Sequence, residues 1–140
     1  MLDYTVKNMS RLTNEGLLNT APERICKAIL GLLERQFPII DHNVILKIRT
    51  NSHFAQLLNV HVNHLNRVVK SVLHKPTSVV IREKILMESM RLLEHTEWSI
   101  SEIAYALGFT EVTHFNSFFK RKTTLNPTQF RKSLLNQKDT

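Results

Sequence analysis

The sequence predicts an all-α chain: two helix-turn-helix subdomains joined by one long linker helix and preceded by an N-terminal connector helix. Three observations carry that prediction. Apolar residues recur at helical spacing along most of the chain, and few stretches alternate as strands do. Capping residues, prolines and a glycine punctuate it at short intervals. Finally, one pattern occurs twice at an offset of fifty: His64-Leu65-Asn66 against His114-Phe115-Asn116, Val68-Val69 against Phe118-Phe119, and Lys70 against Lys120.

The first twenty residues show no clear period and read as a loose lead-in. Thr20-Ala21-Pro22-Glu23 then starts a helix, with Thr20 as cap, Pro22 in the first turn and Glu23 completing a capping box. Ile25, Ile29, Leu32 and Leu33 give it one apolar face up to about Phe37, where Pro38 stops it. Residues 38–49 read as a linker with an extended patch at Val44-Ile45-Leu46. Phe54, Ala55, Leu57 and Leu58 form a brief helix ending near Asn59, a residue that tolerates the left-handed backbone. A second helix runs from about Val62 to Leu73 and buries Leu65, Val68, Val69 and Val72. The longest helix spans Thr77 to about His95, with Ile81, Ile85, Leu92 and Leu93 inward.

Ser99-Ile100-Ser101-Glu102 is another capping box, and its helix ends at Gly108. The next helix covers about Glu111 to Lys122 and turns Phe115, Phe118 and Phe119 to the core. Asn126-Pro127 opens a last short helix through Phe130 and Leu134. The repeat extends upstream, where Ala55 matches Ala104 and Leu58-Asn59-Val60 matches Leu107-Gly108-Phe109, with one residue inserted in the second turn. Each copy is thus a short helix, a turn that accepts positive φ, and a helix with polar outward residues, over about 50–73 and 99–122. The expected organisation is a lead-in and connector over 1–46, the end of a missing N-terminal domain or linker or else the start of a short stand-alone chain. The Pro22–Phe37 helix would pack on the domain that follows or form part of a dimer interface. The two-unit domain follows over 47–134, with a tail over 135–140.

Composition narrows the function. The 140 residues hold 19 Lys+Arg against 12 Asp+Glu, seven His, one Cys and three Gly, for a net charge of +7. The lone Cys26 excludes an internal disulfide framework and a Cys-rich zinc site. The glycines are too scattered for a phosphate-cradling loop, and no apolar run reaches membrane-spanning length. Residues 1–46 are charge-neutral, so the whole basic excess lies in 47–140, the segment carrying both repeats. Such asymmetry points to an acidic partner, nucleic acid ahead of an anionic membrane surface.

In a helix-turn-helix the small first-helix residue, here Ala55 or Ala104, lets the second helix pack closely. That second helix projects polar side chains into the major groove. Asn63, His64, Asn66, Arg67 and Lys70 do so in the first copy, and Thr113, His114, Asn116, Ser117 and Lys120 in the second. Asn pairs with adenine and Arg with guanine through bidentate hydrogen bonds.

Ser101-Glu102-Ile103-Ala104, Leu107-Gly108-Phe109, His114-Phe115, Phe118-Phe119-Lys120-Arg121 and Pro127-Thr128-Gln129-Phe130-Arg131 resemble the signature of AraC/XylS-type transcriptional regulators. Phe54-Ala55, Leu58-Asn59-Val60, His64-Leu65-Asn66-Arg67, Lys70 and Arg91-Leu92-Leu93 resemble the first half of the same domain, so the likeness covers about 47–134. It implies a homeodomain-like, seven-helix DNA-binding domain whose two recognition helices enter successive major-groove segments. By the same resemblance Asn63, Asn66 and Arg67 read bases in the first unit, and Val112, Thr113, His114 and Ser117 in the second. Val112 would offer an apolar contact to a thymine methyl. Lys70, Lys84, Lys120 and Arg121 are the candidate phosphate contacts, joined by the amides near Thr110 and Glu111.

The chain departs from the family pattern at four places. His74 and Thr124 stand where a glycine usually follows each recognition helix, which implies strained or reshaped turns. His61 replaces the usual Ser cap, and Ser89 an alanine of the linker helix.

The expected function is a sequence-specific, double-stranded DNA-binding transcription regulator of the cytoplasm. RNA polymerase is a candidate further partner, there is no membrane partner, and any effector would bind a domain absent from this chain. The alternative is a helical protein-interaction module without sequence-specific DNA binding. No paired carboxylates or Ser/His/Asp constellation suggest catalysis, and no cofactor is implied. His61 and His64 lack the Cys or carboxylate neighbours a metal site needs. Cys26 reads as buried filler, Trp98 as a staple beside a capping box, and the phenylalanine run as core.

Overall fold

The computed structural model describes residues 20–138, and every regular element among them is an α-helix. The expected lead-in lies outside the described residues as far as residue 19. In chain order the helices are α1 (Ala21–Glu34), α2 (Asn51–Leu57), α3 (Val62–Leu73), α4 (Thr77–His95), α5 (Ile100–Ala106), α6 (Val112–Thr123) and α7 (Pro127–Lys138). Among the described residues no helix is long and apolar enough to cross a membrane.

The chain forms two compact units. Among the described residues the first comprises everything up to Phe37 together with Ile48–Lys84, and the second comprises Pro38–Lys47 and everything from Ile85 onward. Helix α4 is continuous through the boundary, its first turns in one unit and the rest in the other.

In the first unit, α1 and α2 both pack against α3. Helix α1 buries Cys26, Ile29, Leu30 and Leu33, a spacing of three and four that keeps them on one stripe. The connector helix thus packs on this unit, as one of its two expected placements has it. Cys26 Sγ donates to the Val68 carbonyl of α3 at 3.8 Å, and burial, followed by the charge of Glu23, pushes its thiol up to about 12. It is inert filler, as expected. Helix α1 stops at Glu34, three residues short of the sequence reading. Pro38 drives Phe37 out of the helical region, and the last turn tightens through Gln36 N to Leu33 O (3.3 Å) and Phe37 N to Glu34 O (3.0 Å). The Gln36 amide then serves both backbone groups of Ile48, donating to its carbonyl at 2.9 Å and accepting its N–H at 3.0 Å.

In the second unit α6 packs on both α5 and α7. Its core is aromatic. Phe109 meets Phe115 and Phe118 at ring separations of 5.4 and 5.3 Å, and Phe119 meets Phe115 at 6.0 Å and Phe130 at 5.2 Å. Phe118 is half-buried rather than fully inward, as is Val72 in the first unit. Residues 38–47 are irregular but held at four points. Ile39 N donates to the buried Glu88 carboxylate at 2.6 Å, and Arg91 grips the same carboxylate through Nε (2.7 Å) and Nη2 (3.0 Å). Leu46 N donates to Ala106 O at 2.8 Å, and His42 sets its ring edge-on to Trp98 and its Nε2 3.0 Å from Glu102. Trp98 thus packs against a residue 56 positions upstream in number, which local sequence spacing does not show.

Past the end of α4, Arg131 of α7 collects three carbonyls: Leu93 at 3.0 Å, Thr96 at 3.3 Å and Trp98 at 2.7 Å. Leu93 O is one of the acceptors that a helix end leaves unmatched, and the other two lie in the irregular stretch that follows it. Ser89, in place of a small apolar residue, is fully buried and satisfies its hydroxyl on Leu86 O at 2.6 Å. Helix α7 continues through 135–138, residues read as a tail, since neither Pro nor Gly interrupts Leu134–Lys138.

Candidate nucleic-acid interface

The two repeats fold alike. Helices α2 and α5 have seven residues each, α3 and α6 twelve each. The small residues Ala55 and Ala104 are buried, and each carbonyl accepts the amide that follows the turn, Val60 N and Phe109 N, both at 3.0 Å. The turns pass through Asn59 at φ 54° and Gly108 at φ 90°, the left-handed region the sequence demanded there. The second helix of each pair then buries Leu65 and Val69, or Phe115 and Phe119, and leaves its opposite face to solvent.

On the first such face Asn63, His64, Arg67 and Lys70 are exposed and Asn66 is half-buried. On the second Thr113, His114, Ser117, Lys120 and Arg121 are exposed and Val112 is half-buried. Within each unit the helix therefore brings the expected base-reading residues and the nearby phosphate candidates onto one solvent-facing side. Lys84 stands apart. It is half-buried on α4, with Nζ 5.7 Å from the centroid of the Phe37 ring, so its charge rests on an aromatic face of its own unit.

Three side chains make contacts here that the sequence does not spell out. His61 caps α3: its Nδ1 accepts the Asn63 N–H at 3.1 Å, which a neutral imidazole with its proton on Nε2 can do. Asn51 Nδ2 donates to Asn66 Oδ1 at 3.0 Å, from the first turn of α2 to the middle of α3. Glu111 precedes α6 without capping it. Its Oε2 instead takes the Thr113 hydroxyl at 3.4 Å and lies 3.8 Å from His114 Nε2. The signal for His61 and Glu111 was present in the sequence, as polar residues at a helix start. The Asn51–Asn66 pair spans two helices and has no local signature.

Both recognition helices end in a left-handed residue that is not glycine, His74 at φ 59° and Thr124 at φ 69°. The chain keeps the turn and accepts the strain, most acutely at β-branched Thr124. Their amides still close the helices, on Lys70 O at 2.9 Å and Lys120 O at 2.8 Å. Among the described residues no group of three or more His, Cys, Asp or Glu is arranged to hold a metal ion.

A family model described as a helix-turn-helix domain matches residues 54–133. Among curated proteins, the HTH-type transcriptional regulator GlxA of Rhizobium meliloti (strain 1021) is 33% identical over 107 residues, covering 75% of this chain and 31% of that protein. The chain thus spans about a third of that relative's length. Among solved structures, the C-terminal domain of AraT, a response regulator from Geobacillus stearothermophilus, superposes with a TM-score of 0.67 at 23% identity. That match covers 81% of this chain and 88% of that one. The DNA-binding domain of AdpA, solved in complex with a target DNA, gives a TM-score of 0.66 at 16% identity, over 83% of this chain and 96% of that one.

Proposed function

The chain belongs to the helix-turn-helix family of AraC/XylS type, and from that premise we propose that it is a sequence-specific, double-stranded DNA-binding transcription regulator. The observation that carries the reading is the matched pair of recognition helices, each with a buried apolar side and an exposed polar, basic side. Charge supports it, since the net +7 falls entirely in the segment that holds both helices.

In this reading each recognition helix lies in a major groove. Asn63, Asn66 and Arg67 read bases from the first unit, and Val112, Thr113, His114 and Ser117 from the second. Lys70, Lys120 and Arg121 meet phosphates. Lys84, whose ammonium already lies over Phe37, is the least suited of the four phosphate candidates. On binding, Thr113 and His114 exchange their contacts with Glu111 for the bases. RNA polymerase is a further partner in the same reading. Nothing in the chemistry of these faces calls for catalysis or a cofactor.

Fluorescence anisotropy of a labelled duplex, titrated with the chain across a range of salt, tests the proposal. Affinity should fall steeply and log-linearly with salt, and Lys120→Ala should lower the slope by about one. A chain that shows no salt-dependent duplex binding would instead be a protein-interaction module.

A further inference from the structure

The bond between Asn51 and Asn66 bears on what the first recognition helix reads. A carboxamide in an unconstrained position offers either end, or both at once, and so pairs readily with adenine. Asn66 is constrained: its Oδ1 accepts from Asn51 Nδ2 at 3.0 Å, both residues are half-buried, and the bond ties α3 to α2 within one unit. The oxygen end is turned toward the protein, and the Nδ2 end keeps its N–H groups for an outside acceptor.

We propose that Asn51 is a positioning residue that sets base specificity: by holding Asn66 Oδ1, it makes Asn66 a hydrogen-bond donor toward an acceptor edge, guanine O6/N7 or thymine O4, rather than a reader of adenine. The inference rests on the DNA-binding reading above. It follows from the donor and acceptor inventory. As the structure orients it, Asn51 supplies the donor; the reverse pairing, Asn51 Oδ1 accepting from Asn66 Nδ2, would turn Asn66 round, and an aspartate at 51, which can only accept, allows that reverse pairing alone. With Asp at 51, Asn66 would donate inward through Nδ2 and present Oδ1 outward, suiting the amino groups of adenine N6 or cytosine N4.

The test is in vitro selection of duplexes from a random library by the wild-type chain, N66A, N51D and N51A, with circular dichroism confirming that each variant is helical. The N66A selection identifies the base position that Asn66 reads, as the one whose preference disappears. At that position the wild type should select guanine or thymine by about tenfold over adenine. The N51D variant should shift it toward adenine or cytosine while other positions keep theirs, and N51A should flatten it. Adenine in the wild-type site, or an unchanged base in N51D, overturns the proposal. So does an N66A chain that weakens equally on all sequences, which would place Asn66 on a phosphate. Because N66A and wild type decide the matter between them, a misfolded N51D does not rescue it. A wild-type chain that recovers no preferred sequence at any position defeats the DNA-binding reading itself, a different result from a preferred site with the wrong base.

Discussion

The first unit and the second build the same helix-turn-helix from different materials. The first turns at Asn59, caps its recognition helix with His61 and packs mostly aliphatic side chains around Phe54. The second turns at Gly108, starts α5 with a reciprocal Ser99–Glu102 capping box and packs rings. At the residue matching Glu102, the first unit has His53, whose backbone N–H merely donates to Thr50 Oγ1 at 3.2 Å. The backbone hydrogen bonds of the turns and helix ends nonetheless coincide, down to the left-handed residue after each recognition helix. What the motif requires, then, is a small residue, a turn that tolerates positive φ and two apolar positions one turn apart. The identity of the filler is open.

The sharpest way to break the equivalence is through the cores. Phe119 is fully buried against Phe115 and Phe130, so Phe119→Ala should cost about 3–5 kcal/mol. The matching Val69→Ala, which removes two methyl groups and no ring, should cost distinctly less. Chemical denaturation of both variants checks the order.

The helix starts differ next. His61→Ala should cost about 0.5–2 kcal/mol because the Asn63 N–H loses its acceptor, and His61→Ser should restore most of that. Glu111→Ala, at the corresponding start of α6, removes no cap bond and should leave stability nearly unchanged. A His61→Ala variant as stable as the wild type would mean that the His61 bond contributes nothing.

The helix ends should respond in the opposite direction. Relief of the left-handed strain in Thr124→Gly, offset by the entropy of a more flexible unfolded chain, should stabilise by up to about 1 kcal/mol. His74→Gly should gain less, since histidine tolerates positive φ better than a β-branched residue. A thermal melt of each variant measures the difference.

The smallest effect is on acid stability. The Ser99 backbone N–H, and after it the Ser99 hydroxyl and His42, hold the Glu102 carboxyl below its ordinary value. A depressed carboxyl contributes stability that is present above the unfolded-state value and is lost as pH falls through the folded one. The second unit should therefore weaken as pH drops through the carboxylate range, and Glu102→Gln should flatten that limb of a pH-stability profile. The first unit has His53 at this place, so no carboxyl stands there.

Much of this architecture was legible in the sequence because local rules govern it. The bounds of α3 and α4 follow from apolar period and flanking residues, and Asn59 and Gly108 announce their turns. The departures at His74 and Thr124 were readable as strain, since the repeat fixes where the left-handed residue must fall. What the sequence did not show is set by long-range pairing. Residues 38–47 look like a linker until Glu88 and Arg91 hold Ile39, and α1 looks like a connector until Cys26 and its neighbours meet α3. Helix α6 begins one residue later than its apolar pattern suggests because Glu111 is extended, at φ −137° and ψ 140°. The candidate site was legible as a set of exposed polar residues on two helices. The hydrogen bonds that tune it, Asn51 to Asn66 and Thr113 to Glu111, depend on neighbours that only folding supplies.

In the proposed function both units read bases. Selection from a random duplex library by the wild-type chain should recover two separate blocks of preferred bases. Arg67→Ala should cost about 1–3 kcal/mol in affinity and relax one base of one block, leaving the other intact, while Thr113→Ala does the converse. A site with one block, or two blocks that both dissolve with either substitution, would contradict it.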